Sequence, residues 1–173
     1  MDSPREIRDG EEFALETLKT YLLENNINAD DLSIKQFPSG YSNLTYFLKS
    51  SSEEFVLRRP PFGAKSLQGG HDMFREYNVL KNLKSQFLKV PDVYLYCDNS
   101  EIIGAPFYLM ERVKGYIIRP NLQQKDSPGK EVIQNVSKSL VSTLVELHNV
   151  DIDQANLNAV SDTHLRAHET MSN

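Results

Sequence analysis

Apolar residues recur at intervals of three and four between Glu11 and Glu24, where Ala14, Leu15, Leu18, Tyr21 and Leu22 fall on one stripe. This spacing predicts a helix packed against something apolar. The polar run Asn25 to Asp31 ends it, and the pattern then changes. Ile34 to Phe37, Leu44 to Leu48 and Phe55 to Leu57 are short segments rich in β-branched and aromatic residues, parted by turn residues, and they predict three strands in a meander. Ser50-Ser51-Ser52-Glu53 makes one connection short, while Pro38 to Asn43 makes the other longer, with Gly40 free to take a positive φ. Pro60-Pro61 stops the third strand, because proline has no N–H for the ladder.

After Gly69-Gly70 helical spacing returns in Phe74, Tyr77, Leu80 and Leu83, with Asp72 placed to accept from the first turn. Val93 to Tyr96 and Pro106 to Val113 predict two more strands. From Lys130 to His148 the residues Val132, Ile133, Val136, Leu140, Val141, Leu144, Val145 and Leu147 give a long helix a wide apolar face that needs a partner. Val150 to Asn173 is mostly polar, lacks a period and is expected to fray.

Composition narrows the function classes. The 173 residues are 39% hydrophobic and 25% charged, as in ordinary globular domains. A formal net charge of −5 opposes binding to nucleic acid or anionic lipid, which needs a surplus of Lys and Arg. No run approaches the roughly 20 apolar residues of a membrane span. The single Cys97 forms no internal disulfide. A cytoplasmic protein with no nucleic-acid or membrane partner is expected.

Strand, glycine-bearing turn, strand, third strand ending in a basic residue, then a helix with an early carboxylate: this order resembles the nucleotide-binding lobe of kinases. Strand alternation puts Val56 and Arg58 on one face, so that Arg58 would meet the α and β phosphates where lysine is usual. Glu76, in the first turns of the following helix, would orient that guanidinium. Taken singly, a surface arginine at a strand end and a solvated glutamate fit the same letters. Ser39, Ser42 and the backbone N–H groups around Gly40 are positioned to meet phosphate oxygens, although an ordinary turn reads the same way. Beyond the last strand, the main chain around Glu111 and Val113 would offer a purine one donor and one acceptor, with Met110 bordering the ring; a core strand followed by a turn is equally consistent.

Phe37 to Tyr46, Phe55 to Pro61, Arg75-Glu76-Tyr77, Ile103 to Glu111 and Leu147 to Asp151 together resemble successive blocks of the aminoglycoside phosphotransferase and choline kinase superfamily, in particular the branch also joined to acyl-CoA dehydrogenases. The resemblance implies an α+β fold: a protein-kinase-like N-lobe of five antiparallel strands with an inserted helix, followed by the first helices of a truncated C-lobe. It further implies ATP or GTP with Mg2+ as cofactor and a small-molecule acceptor, with hydroxylated acyl-CoA, aminoglycoside, choline and sugar all open.

That family carries a His-Gly-Asp loop and a later metal-holding Asp in its second half, and neither occurs here. Asp151 and Asn156 share the spacing of such a loop, but His148 lies three residues before Asp151 rather than two. A nucleotide-binding lobe inactive alone is expected, with a non-catalytic module pairing with itself or with a separate carboxy-terminal chain as the alternative. The expected organisation is a helical segment over 1–30, the nucleotide-binding lobe over 31–115, a linker and long helix over 116–151, and a polar tail over 152–173 that departs from the family pattern from Gln154 onward.

Overall fold

The computed structural model describes residues 3–38, 42–63, 71–115 and 128–157. Five strands, β1 (Ser33–Gln36), β2 (Leu44–Lys49), β3 (Glu54–Arg59), β4 (Val93–Cys97) and β5 (Phe107–Glu111), form one sheet in the order β1-β2-β3-β5-β4. Every neighbouring pair is antiparallel. The first three strands are the meander read from the sequence. The fifth then inserts beside the third, so β3 and β5 lie inside the sheet.

Alternation along β3 decides what each face becomes. Phe55 and Leu57 join Leu44, Tyr46, Leu48, Phe107 and Leu109 in the main core, which α1 (Leu15–Glu24) covers with Leu18 and Leu22. Burying each such side chain contributes about 1.5–3 kcal/mol. Phe13 stands edge-on to Tyr46 at 5.1 Å between ring centroids. Helix α1 starts at Leu15, later than the apolar stripe suggests, because the preceding residues tie the chain to the sheet. The Glu11 carboxylate pairs with Arg8 at 2.7 Å and accepts from Gln36 at 2.5 Å, while its carbonyl accepts from the Tyr46 hydroxyl at 2.8 Å.

On the opposite face, α2 (Met73–Leu83) lies against β4 and β5. Asp72 caps it, its Oδ1 accepting from the Arg75 N–H at 2.9 Å. The short α3 (Ser100–Ile103) lies between the last two strands. Asn99 caps its start and Gly104, at φ 81°, ends it in the left-handed region that glycine adopts without strain.

Helix α4 (Lys130–His148) matches its predicted span, and its apolar residues, among them Val136, Leu140 and Leu144, are exposed. It is fastened at its C-terminal end, where Lys89 pairs with Glu146 at 2.6 Å and donates to Thr143 at 3.2 Å. The start of the expected frayed tail is ordered instead. Asp151 Oδ1 accepts from the N–H groups of Asp153 and Gln154, Ala155 is buried, and Asn82 donates to the Asn156 carbonyl at 3.2 Å. Residues 158–173 and the linker residues 116–127 lie outside the described residues. Among the described residues no helix is long and apolar enough to cross a membrane.

Candidate functional site

Arg58 sits opposite Thr45 on one side and Tyr108 on the other, and Val56 sits opposite Met110. These residues share the sheet face turned toward α2. Glu76, one turn into that helix, reaches back to the strand: Arg58 Nε lies 3.1 Å from Glu76 Oε2, and Arg58 Nη2 donates to Oε1 at 3.4 Å. The Tyr108 hydroxyl donates to Oε2 at 2.9 Å, and Asn43 Nδ2 donates to Oε1 at 2.7 Å. Burial, followed by the adjacent Glu76 charge, pushes the Tyr108 hydroxyl well above the ordinary tyrosine range.

Beside this cluster a cavity of about 470 Å³ opens, lined by the charged Arg58, Arg75 and Glu76 and by the apolar Val79, Leu80 and Met110 among others. That volume falls in the range of small-molecule sites. Arg58 Nε is buried, and although it lies within ion-pair distance of Glu76 its N–H makes no hydrogen bond. The rest of the guanidinium is partly exposed at the cavity, which suits an oxyanion such as a phosphate. Among the described residues no three His, Cys, Asp or Glu side chains stand close enough together to hold a metal ion.

The other residues singled out from the sequence fall in different places. Ser42 is exposed at the end of the β1–β2 connection, and Ser39 and Gly40 lie outside the described residues. Met110 lines the cavity, whereas Glu111 and Val113 do not. The Glu111 N–H is already engaged by the Asp92 carbonyl at 2.8 Å, because β4 pairs along that edge of β5. A base bound there would therefore take its donor from beyond Glu111. The segment leaving β5 is held down by Arg112, whose guanidinium lies 4.1 Å from the Phe47 ring centroid and 2.9 Å from Glu54, and by Lys114, 2.8 Å from Glu54.

Asn43 and Tyr108 complete the cluster, yet the sequence reading gave neither a role. Tyr108 was recoverable in principle, since it alternates with Met110 onto the face that Arg58 uses. Asn43 carried no such signal, because its partners lie 28 and 33 positions away in sequence.

An antiparallel sheet whose inner strand offers a basic side chain to a carboxylate on a flanking helix, over a small-molecule-sized hollow, is the arrangement of a kinase-like fold. Residues 33–170 match the model of the phosphotransferase enzyme family, and the chain belongs to that family. The match continues past Gln154, where a departure from the family pattern was expected. Acyl-CoA dehydrogenase family member 11 of Rattus norvegicus is 38% identical over 157 residues, covering 88% of this chain and 20% of the relative. Family member 10 of Mus musculus is 31% identical over 158 residues, covering 90% of this chain and 14% of that protein. The chain thus spans a fifth or less of the length of these curated relatives. A solved Ralstonia eutropha structure named for the aminoglycoside phosphotransferases superposes with a TM-score of 0.69 at 25% identity, covering 87% of this chain and 43% of the other.

Proposed function

We propose that this chain is the nucleotide-holding part of a phosphotransferase that uses ATP or GTP with Mg2+. The observation that carries this reading is the Arg58–Glu76 pair at 3.1 Å beside the cavity. Arg58 holds phosphate oxygens through donors not satisfied by Glu76, and Glu76 fixes the guanidinium's direction. Met110 presents an apolar surface to the base, whose polar edge meets main-chain groups near Val113. Ser39, Gly40 and Ser42 contribute hydroxyl and N–H donors from the β1–β2 connection. Magnesium, which neutralises phosphate charge when bound, is carried on the nucleotide's own oxygens in this reading.

The names of the relatives favour a hydroxylated acyl-CoA as acceptor. The 173 residues contain no His-Gly-Asp loop, and Asp151, the nearest candidate base, is occupied with capping its own turn. Taken by themselves, these 173 residues bind nucleotide without transferring phosphate. Calorimetry with Mg-ATP and Mg-GTP tests this: heat that is present for the wild type and absent for Arg58→Ala is expected, and equal heats for the two proteins would remove Arg58 from the site.

A second reading, a non-catalytic module that pairs with itself or with a carboxy-terminal chain, draws on the exposed Val136, Leu140 and Leu144 of α4. Sedimentation of the isolated chain separates the two, since a monomer that binds nucleotide favours the first.

A further inference from the structure

Asn43 is 4% exposed and stands where the β1–β2 connection ends and β2 begins. Its amide joins three separate segments. Nδ2 donates to Glu76 Oε1 on α2 at 2.7 Å, and Oδ1 lies 2.8 Å from Nδ1 of His71, the residue just before the cap of α2. The orientation is chemically determined. A carboxylate accepts only, so the NH2 group must face Glu76; the carbonyl therefore faces His71, which must carry a proton on Nδ1.

Without Asn43, Glu76 Oε1 would keep only the 3.4 Å contact with Arg58 Nη2, while Oε2 kept both Tyr108 at 2.9 Å and Arg58 Nε at 3.1 Å. The terminal torsion of a glutamate is broad, so a carboxylate held mainly through one oxygen can swing about it. The plane of the carboxylate, and with it the direction of the guanidinium, then depends on the donor at Oε1. We propose that Asn43 is a positioning residue: from the stem of the β1–β2 connection it sets the plane of the Glu76 carboxylate and thereby aims Arg58. This rests on the reading of Arg58 as the phosphate holder, and it adds that the connection and the ion pair are adjusted together through one side chain.

The test uses the full chain and two independent readouts: the Arg58 Nε–Hε resonance, assigned by its disappearance in Arg58→Lys, and the calorimetric affinity for Mg-ATP. Asn43→Ala is expected to shift that resonance and to weaken affinity about tenfold, as for a lost hydrogen bond to a charged group. Asn43→Ser, which keeps a shorter donor, replaces it if the alanine variant does not fold, and the same shift is expected.

Asn43→Asp sets two carboxylates against each other and is expected to be worse. Adding Glu76→Gln to it restores one donor facing one acceptor and keeps one negative charge in the cluster, so the double variant should bind more tightly than Asn43→Asp alone. A purely structural asparagine would lower thermal stability and leave the resonance in place. An unshifted resonance with unchanged affinity, or a double variant no better than Asn43→Asp, overturns the proposal. If the wild type binds no nucleotide, the broader reading falls, while a resonance shift in Asn43→Ala still shows that Asn43 aims Arg58.

Discussion

Arg58 and Arg59 are consecutive on β3 and face opposite sides of the sheet. Arg58 pairs with Glu76 at 3.1 Å beside the cavity. Arg59 is 1% exposed and donates to the carbonyls of Pro60 at 3.1 Å and Ile103 at 2.7 Å, with its guanidinium 3.7 Å from the Phe62 ring centroid. Replacing the second should therefore damage the fold, and replacing the first should damage the site. Arg59→Ala strands two carbonyls and opens a cavity, for a cost of about 3 kcal/mol. Arg58→Ala removes a partly exposed ion pair and costs about 1 kcal/mol or less. Urea denaturation of both variants checks the contrast.

Tyr108→Phe removes one donor from Glu76 without changing the packing of the ring. A hydrogen bond to a charged group contributes about 1.5–3 kcal/mol, and a loss near the lower end is expected in denaturation experiments. The hydroxyl's pKa is raised in the folded state, so its contribution is complete below the ordinary tyrosine value near 10 and declines as pH rises above it. Wild type should lose stability in that alkaline range more steeply than Tyr108→Phe. Parallel slopes would show that the hydroxyl is not held as described.

Much of this arrangement was legible in the sequence because it is local. The alternation in Phe55-Val56-Leu57-Arg58 assigned Arg58 its face, and the spacing from Asp72 to Leu83 placed Glu76 one turn into α2. The insertion of β5 between β3 and β4 was not legible, since alternation tells which face a residue occupies and nothing about which strand lies beside it. For the same reason the loss of the Glu111 N–H to Asp92 could not be foreseen. Asn43 looked like one more polar turn residue; its importance comes from His71 and Glu76, which only the folded chain brings to it.

Glu54 offers an acid-range test. A hydrogen bond from Lys114 and the charge of Arg112 hold its carboxyl below the ordinary glutamate value, against a smaller opposing effect of burial. A lowered folded-state pKa means that the contribution is complete above the unfolded value of about 4.3 and is lost as pH falls through the folded one. The thermal midpoints of wild type and Glu54→Gln should differ at neutral pH and converge in acid. A gap that persists at the lowest pH would assign the difference to packing.

Gly104→Ala isolates a backbone effect. An added Cβ would meet Arg59 Nη1 at 3.9 Å, an ordinary contact, while the φ of 81° remains strained for any L side chain. A loss of about 1 kcal/mol is expected, with nucleotide affinity unchanged. A larger loss accompanied by weaker binding would mean that Arg59 and the α3 turn reach the site.

The place of β3 inside the sheet gives the two halves of the ion pair unequal freedom. Amide protons of an inner strand are released to solvent only by large-scale opening, whereas a helix lying on one face can tilt while the ladder stays closed. Backbone movement that opens the pair would therefore displace the acidic partner, and deuterium uptake would rise in Met73–Leu83 before it rose in Glu54–Arg59.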